Sequence, residues 1–273
     1  MKIALNGASG FVASYLKEKF TDFVVLKRDD SEDEIVQKLQ GVDAVFNLAG
    51  APILKRWSES YKKVLISSRV ETTKKLVKAV NRSQIKHFIS TSAIGAYPDG
   101  KFDESYEGYG DDLLGSLAKQ WEEEALYCNK PTTILRFGVI LGKDGGALEQ
   151  MLFPFKMGLG GIIGDGKMMT SWIDIEDLVR IYEFVIEYKL EGIFNVTAPN
   201  PVTNYDFTKA LGRQLGRPTL LPVPEFGLKI LFGEGASVLT GSKEIYPKRL
   251  LECGFEFKYK DIDSSLAHLL TDK

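Results

Sequence analysis

Cysteine and histidine are nearly absent from this 273-residue chain, which holds two of each: Cys128, Cys253, His87 and His268. Residues so scattered suggest neither a ligand cluster nor a disulfide framework, so no metal site and no stapled extracellular scaffold are expected. Charge of one sign is equally scarce. The 35 Lys+Arg and 37 Asp+Glu leave a formal charge of −2, and the acid-rich patches at 29–34 and 122–124 are short. Nothing here directs the chain toward nucleic acid or a membrane surface. No hydrophobic run approaches the roughly 20 residues that span a bilayer. The first apolar segment, 2–6, runs straight into a glycine turn, unlike a secretory signal. Together these absences point to a reducing, cytoplasmic compartment.

What the chain does have is apolar content, 44% of its residues, ample for one large domain or one and a half. Runs rich in β-branched and aliphatic residues at 2–6, 23–27, 43–49, 87–93 and 132–138 alternate with helical patterns at 10–20, 31–39, 57–80 and 112–128. Strands apolar throughout and separated by helices predict a parallel sheet covered on both faces, a doubly wound α/β fold. In the first helix Phe11, Val12, Tyr15, Leu16 and Phe20 fall on one face while Lys17, Glu18 and Lys19 point away. After about residue 140 the pattern becomes glycine-heavy and irregular. A helix then follows with Asp174 as its N-cap, a further strand at 192–196, and short helices at 204–215, 225–232 and 261–271 between proline-marked turns. The expected division is 1–196, with an irregular insertion at about 143–170 beside a substrate cleft, and a small mixed C-terminal lobe at 197–273.

Residues 5–14 read LNGASGFVAS. A strand, Gly7-x-x-Gly10 and an amphipathic helix form the layout of a dinucleotide-binding turn. Gly7 permits the tight turn, Gly10 lets backbone approach a diphosphate, and Ala13 takes the helix-packing position. The anion would rest on free N–H groups of the helix beginning near Gly10. A glycine turn with no ligand uses the same residues, but the place between an N-terminal strand and an amphipathic helix favours a cofactor. The second strand ends Lys27-Arg28, with Asp29 and Asp30 only afterwards. A basic end suits the 2′-phosphate of NADP(H), whereas an acidic one would suit the ribose of NAD; the alternative is a merely solvated strand end.

These residues resemble the extended branch of the short-chain dehydrogenase/reductase superfamily: NGASGFVA its TGxxGFxG turn, NLAG (47–50) a loop walling adenine and ribose, and STSAIGAYP (90–98) its SSxxVYG segment. RFGVILG (136–142) and SWIDIEDLV (171–179) resemble two later landmarks. RW (56–57), SR (68–69), WE (121–122), residues 145–166 and the tail 223–247 are similar to the narrower YfcH-like sugar-nucleotide epimerase-related family, an atypical NADP-binding branch with its own C-terminal domain. The resemblance implies cofactor contacts from Gly7, Ala8, Ser9, Gly10, Phe11, Val12, Lys27, Arg28, Leu48, Ala49, Gly50, Arg69 and Thr91, with Ser92 holding the substrate oxygen.

The superfamily's Tyr-x-x-x-Lys pair should fall in 111–125, yet the two registers place Gly115 with Lys119 or Leu114 with Ala118 there. The relay candidates that remain are Tyr97, expected at the lip of the cleft, Lys119, and water. The resemblance implies an NADP-dependent epimerase or oxidoreductase acting on a small hydroxyl or carbonyl compound, a nucleotide-linked sugar among the candidates, and a homodimer formed through paired helices. The loss of the tyrosine favours an alternative, a non-catalytic NADP(H)-binding module that reports redox state. Trp57, Trp121 and Trp172 read as packing residues and His87 as structural. Arg69 and Arg136 meet either a ligand phosphate or a protein carboxylate. The glycine run at 158–166 is either a lid or a plain connection.

Overall fold

Six segments become strands of one parallel sheet: β1 (Ile3–Asn6), β2 (Phe23–Leu26), β3 (Ala44–Asn47), β4 (His87–Ala93), β5 (Thr132–Phe137) and β6 (Gly192–Val196). The structure is a computed structural model and describes residues 1–271. The strand order is β2-β1-β3-β4-β5-β6. From β1 the chain steps outward to β2, then crosses back to β3 on the other side. The carboxyl ends of β1 and β3 therefore flank a topological switch point, where the crevice of such a sheet lies.

Both faces of the sheet are apolar because both are covered. One buries Ile3, Leu5, Phe46 and Leu135 against helices Phe11–Lys19 and Ile175–Glu187. The other buries Ala4, Val45, Phe88 and Ile134 against Glu32–Lys38 and Thr72–Asn81. The doubly wound fold is thus as expected. So is the Asp174 cap, whose carboxylate accepts the Glu176 N–H at 2.9 Å.

The helix expected over 57–80 begins after the Ser58 cap as Glu59–Ile66, widens into a π-helical turn at Ser67–Glu71, and resumes as Thr72–Asn81. The insertion expected to be irregular contains a helix, Gly146–Lys156. Its glycines sit at the start, where Gly146 adopts φ +71°, and Pro154 falls in the last turn, where a missing N–H costs a single helical bond. Buried Leu148 and Phe155 anchor it.

The C-terminal region shares the core of the sheet. Phe207 and Leu211 from helix Asn204–Leu215, and Leu266 and Leu269 from helix Ile262–Leu270, join the same apolar cluster as Leu5 and Phe46. An unanticipated strand, Lys243–Ile245, pairs in parallel with Gly100–Phe102 beyond β4. Ser171 fastens it, accepting the Ile245 N–H at 2.7 Å and donating to the Lys243 carbonyl at 2.8 Å. Among the described residues no helix is long and apolar enough to cross a membrane.

Candidate functional site

At the end of β1 the backbone turns through Gly7 with φ +84°, a conformation that side chains resist. A Cβ there would stand 2.8 Å from both the Ala49 nitrogen and the Leu48 carbonyl carbon. Gly7 is thus the point where the glycine turn and the loop after β3 touch, pinned by the Leu48 N–H donating to the Asn6 carbonyl at 2.9 Å. Gly10, extended, caps helix Phe11–Lys19 without any side-chain hydrogen bond. First-turn N–H groups are left for an anion. Gly7, Ala8, Ser9 and Gly10 therefore meet Leu48, Ala49 and Gly50 at one crevice. Phe11 and Val12 follow them, but their side chains pack inward; the Phe11 ring lies so close to Gly142 and Gly145 that a Cβ at either would come within 2.3 Å of it.

Beneath the crevice runs a buried polar floor. Asn6 Nδ2 donates to Asn47 Oδ1 at 2.8 Å, and Asn47 Nδ2 donates to Thr73 Oγ1 at 2.8 Å and Ser90 Oγ at 3.1 Å. Trp121 Nε1 also donates to Thr73 Oγ1, at 2.9 Å. Every buried side-chain polar atom among the described residues has a partner. Such a satisfied network holds the strand ends in fixed register. Trp57, Trp121 and Trp172 are buried, as packing residues should be.

At the β2 end Lys27 and Arg28 are exposed, while Asp30 is folded back into its own turn. Its carboxylate accepts the Lys27 N–H at 2.7 Å and pairs with Lys38. Burial opposes its charge, but the hydrogen bonds from Lys38 and Lys27 hold its pKa below the usual carboxylate value. Asp30 is thus committed to its own turn, while Lys27, Arg28 and Asp29 remain exposed at the strand end.

The expected proton-transfer residues do not assemble. Tyr97 is fully buried instead of standing at the cleft lip; its hydroxyl donates to Asn195 Oδ1 at 3.0 Å and its ring stacks on Phe102. Burial pushes its pKa up. Packing pulls this aromatic inward where the resemblance implied a rim. Lys119 lies on the exposed face of helix Leu113–Leu126, 3.9 Å from Glu123, because Ala118, Trp121 and Glu122 take the buried face. Thr91 points to the opposite side of β4 from Ser90 and Ser92, with its hydroxyl 3.4 Å from that of Tyr182.

Ser92 is buried and donates to Glu122 Oε1 at 2.5 Å. Glu122 also takes a bidentate pair from Arg136, Nε to Oε1 at 2.8 Å and Nη2 to Oε2 at 2.7 Å, and the Tyr109 hydroxyl at 2.8 Å. The ligand-phosphate alternative for Arg136 is therefore corrected: its counter-charge is internal, and although burial works against the guanidinium, Glu122 raises its pKa. Burial and the neighbouring Glu122 push the Tyr109 phenol up to about 12. Sequence reasoning missed Glu122 and Tyr109. The available signal was a carboxylate on the apolar face of a helix and an arginine inside an apolar strand, each demanding the other. Arg69, in the π-helical turn, is half-buried beside Gly50 and donates to the Ala51 carbonyl at 2.9 Å.

Comparison with known proteins matches residues 3–197 to the NAD dependent epimerase/dehydratase family and residues 223–269 to a domain of unknown function, DUF1731. An epimerase family protein of Arabidopsis thaliana, the chloroplastic SDR39U1 homolog, is 38% identical over 302 residues, spanning 99% of this chain and 87% of its own length. The epimerase family protein YfhF of Bacillus subtilis is 33% identical, spanning 100% of this chain and 99% of its own. The crystal structure of human epimerase family protein SDR39U1 (isoform 2) with NADPH is similar at a TM-score of 0.93 and 30% identity, covering 99% of each chain.

Proposed function

Because the chain belongs to the NAD dependent epimerase/dehydratase family, we propose that it binds NADP(H) across the β1/β3 crevice and acts, epimerase- or oxidoreductase-like, on a small hydroxyl or carbonyl compound. A nucleotide-linked sugar is the candidate substrate class. The observation that carries this reading is the backbone cradle: Gly7 fused to the loop at 48–49, with the uncapped helix start at Gly10 beside it. No side chain caps the helix start, and first-turn N–H groups suit a diphosphate. Exposed Lys27 and Arg28 suit a 2′-phosphate, and the similar human protein was crystallised with NADPH.

NADP(H), when bound, supplies hydride exchange at nicotinamide C4. The chain itself binds and orients: Gly7–Gly10 receives the diphosphate, Lys27 and Arg28 the adenine-side phosphate, and Leu48, Ala49 and Gly50 wall the crevice. Residues 1–196 take the coenzyme, and 197–273 border the substrate side. The unpaired thiols of Cys128 and Cys253 suit a reducing, cytoplasmic compartment.

Fluorescence titration tests the cofactor: NADPH binds, and binds more tightly than NADH. No binding of either would overturn the reading. A second reading, a non-catalytic NADP(H)-binding redox reporter, is favoured by the burial of Tyr97, the outward direction of Lys119 and the tie between Ser92 and Glu122. NADPH consumption over a panel of carbonyl compounds supports the enzyme. Silence across the panel, with a partner captured or released by NADPH, supports the reporter.

A further inference from the structure

Arg69 is a cation without a counter-ion. Its Nη2 donates to the Ala51 carbonyl at 2.9 Å, while Nη1 makes only long contacts, 3.4 Å to Ser68 Oγ and 3.5 Å to the Leu65 carbonyl. No carboxylate among the described residues pairs with it, in contrast to Arg136 with Glu122 and Arg180 with Asp177. Its Nε has no hydrogen-bond partner among the described residues and is not fully enclosed. Burial lowers its pKa to about 10, the sign of a charge the protein leaves uncompensated.

The surroundings hold the guanidinium in place. It lies 5.3 Å from the Trp121 ring and close against the Gly50 backbone, where a Cβ would stand 3.0 Å from its Cζ. Ser67–Glu71 forms the π-helical turn that carries it, a distortion found often at functional sites. Sheet order gives its side of the crevice. Lys27 and Arg28 end β2, on one side of β1; Gly50 and Ala51 follow β3, on the other, next to β4 with Ser92. Arg69, beside Gly50 and Ala51, thus stands on the β3 side of the crevice, across β1 from the proposed 2′-phosphate site.

We propose that Arg69, which the resemblance places among the coenzyme contacts, is instead the anion receptor of the substrate half of the crevice, and that the substrate carries a carboxylate or phosphoryl group that pairs with it. The inference rests on the coenzyme reading above. A planar guanidinium braced by Trp121 offers two donors to such a group, and partial desolvation strengthens the pair.

The test measures the melting temperature of the full chain, coenzyme-free and saturated with NADPH, titrated with inorganic phosphate or malonate against chloride at matched ionic strength. Phosphate or malonate is expected to raise the NADPH-saturated melting temperature by about 3 °C at ten times its dissociation constant. Whichever anion acts separates phosphoryl from carboxylate recognition. Arg69→Met should abolish that rise and keep NADPH affinity within about threefold. Without anion it should melt at or above wild type, since an uncompensated charge is removed. Arg69→Lys should keep part of the response. The inference is overturned if Arg69→Met retains the anion response, if wild type shows none beyond chloride in either state, or if Arg69→Met loses NADPH affinity tenfold or more. Failure of wild type to bind NADPH would instead refute the coenzyme reading, and the coenzyme-free titration still decides the anion response.

Discussion

Replacing Glu122 with glutamine keeps the side chain's shape and removes its charge, leaving Arg136 in a site where its side chain is 4% exposed. The carboxylate now answers Arg136 twice, Ser92 once and Tyr109 once. Removing one partner of a buried pair costs about 3–5 kcal/mol, chiefly through the charge left behind. Glutamine still offers one carbonyl oxygen, so the lower end, about 3 kcal/mol, is expected for Glu122→Gln. In a chain of this length each kcal/mol moves the melting temperature by about 2–4 °C, so a fall of about 6–12 °C should appear in circular dichroism melts. Urea unfolding should show a lower midpoint at unchanged slope. Two further readouts separate lost charge from lost packing. The Tyr109 phenol, held at about 12, should titrate closer to its ordinary value by tyrosinate absorbance. The pair Glu122→Leu with Arg136→Met should cost less than Glu122→Gln alone, because no charge is stranded. A loss below about 1 kcal/mol for Glu122→Gln would show that the cluster is hydrated, and the account of it would be wrong.

Gly7→Ala forces a side chain into φ +84° and against the Leu48–Ala49 backbone. A cost of about 1–2 kcal/mol from the dihedral alone and loss of NADPH binding are expected in melts and fluorescence titrations; unchanged affinity would remove Gly7 from the coenzyme site. Lys27→Ala with Arg28→Ala should weaken NADPH by about 10–100-fold and leave NADH within a factor of about three, given about 1.5–3 kcal/mol for a charged hydrogen bond; equal losses for both coenzymes would refute phosphate recognition. Burial raises the pKa of Asp174 from 3.8 to about 7 although Ser265 and the Glu176 N–H bond its carboxylate. The folded state then holds a proton that the unfolded state releases, so this group's contribution is intact below pH 3.8, falls as pH rises to about 7, and stays lost above it, by at most about 4 kcal/mol. Asp174→Asn should flatten that part of the stability profile in urea titrations between pH 5 and 8, and an unaltered slope counts against the shift.

Strand positions were readable because β1 and β3 are buried on both faces, so their sequences are apolar up to a closing asparagine. The glycine turn was readable because its conformation excludes side chains. The helix Gly146–Lys156 was not, since glycines at its start and a proline inside its last turn resemble breakers until tertiary contacts with Leu148 and Phe155 decide the matter. The direction of Tyr97 was equally hidden. It depends on Asn195 and Phe102, and Asn195 is nearly a hundred residues away in sequence. Lys119 could have been placed, because three buried neighbours on its helix leave it the outer face. The Glu122–Arg136 pair lay in plain view as two charges in apolar settings, but only the fold shows that they answer each other.

The seam between Lys243–Ile245 and Gly100–Phe102, with Ser171 fastening the first of these strands, has a consequence for biosynthesis. A nascent chain still lacking residue 243 leaves the Gly100–Phe102 edge and the Ser171 hydroxyl unclosed, so the N-terminal portion stays protease-sensitive until the tail emerges from the ribosome. Ribosome-stalled chains ending before and well after this strand should differ in their cleavage around residue 100. Equal protection in both would mean that the first half matures alone.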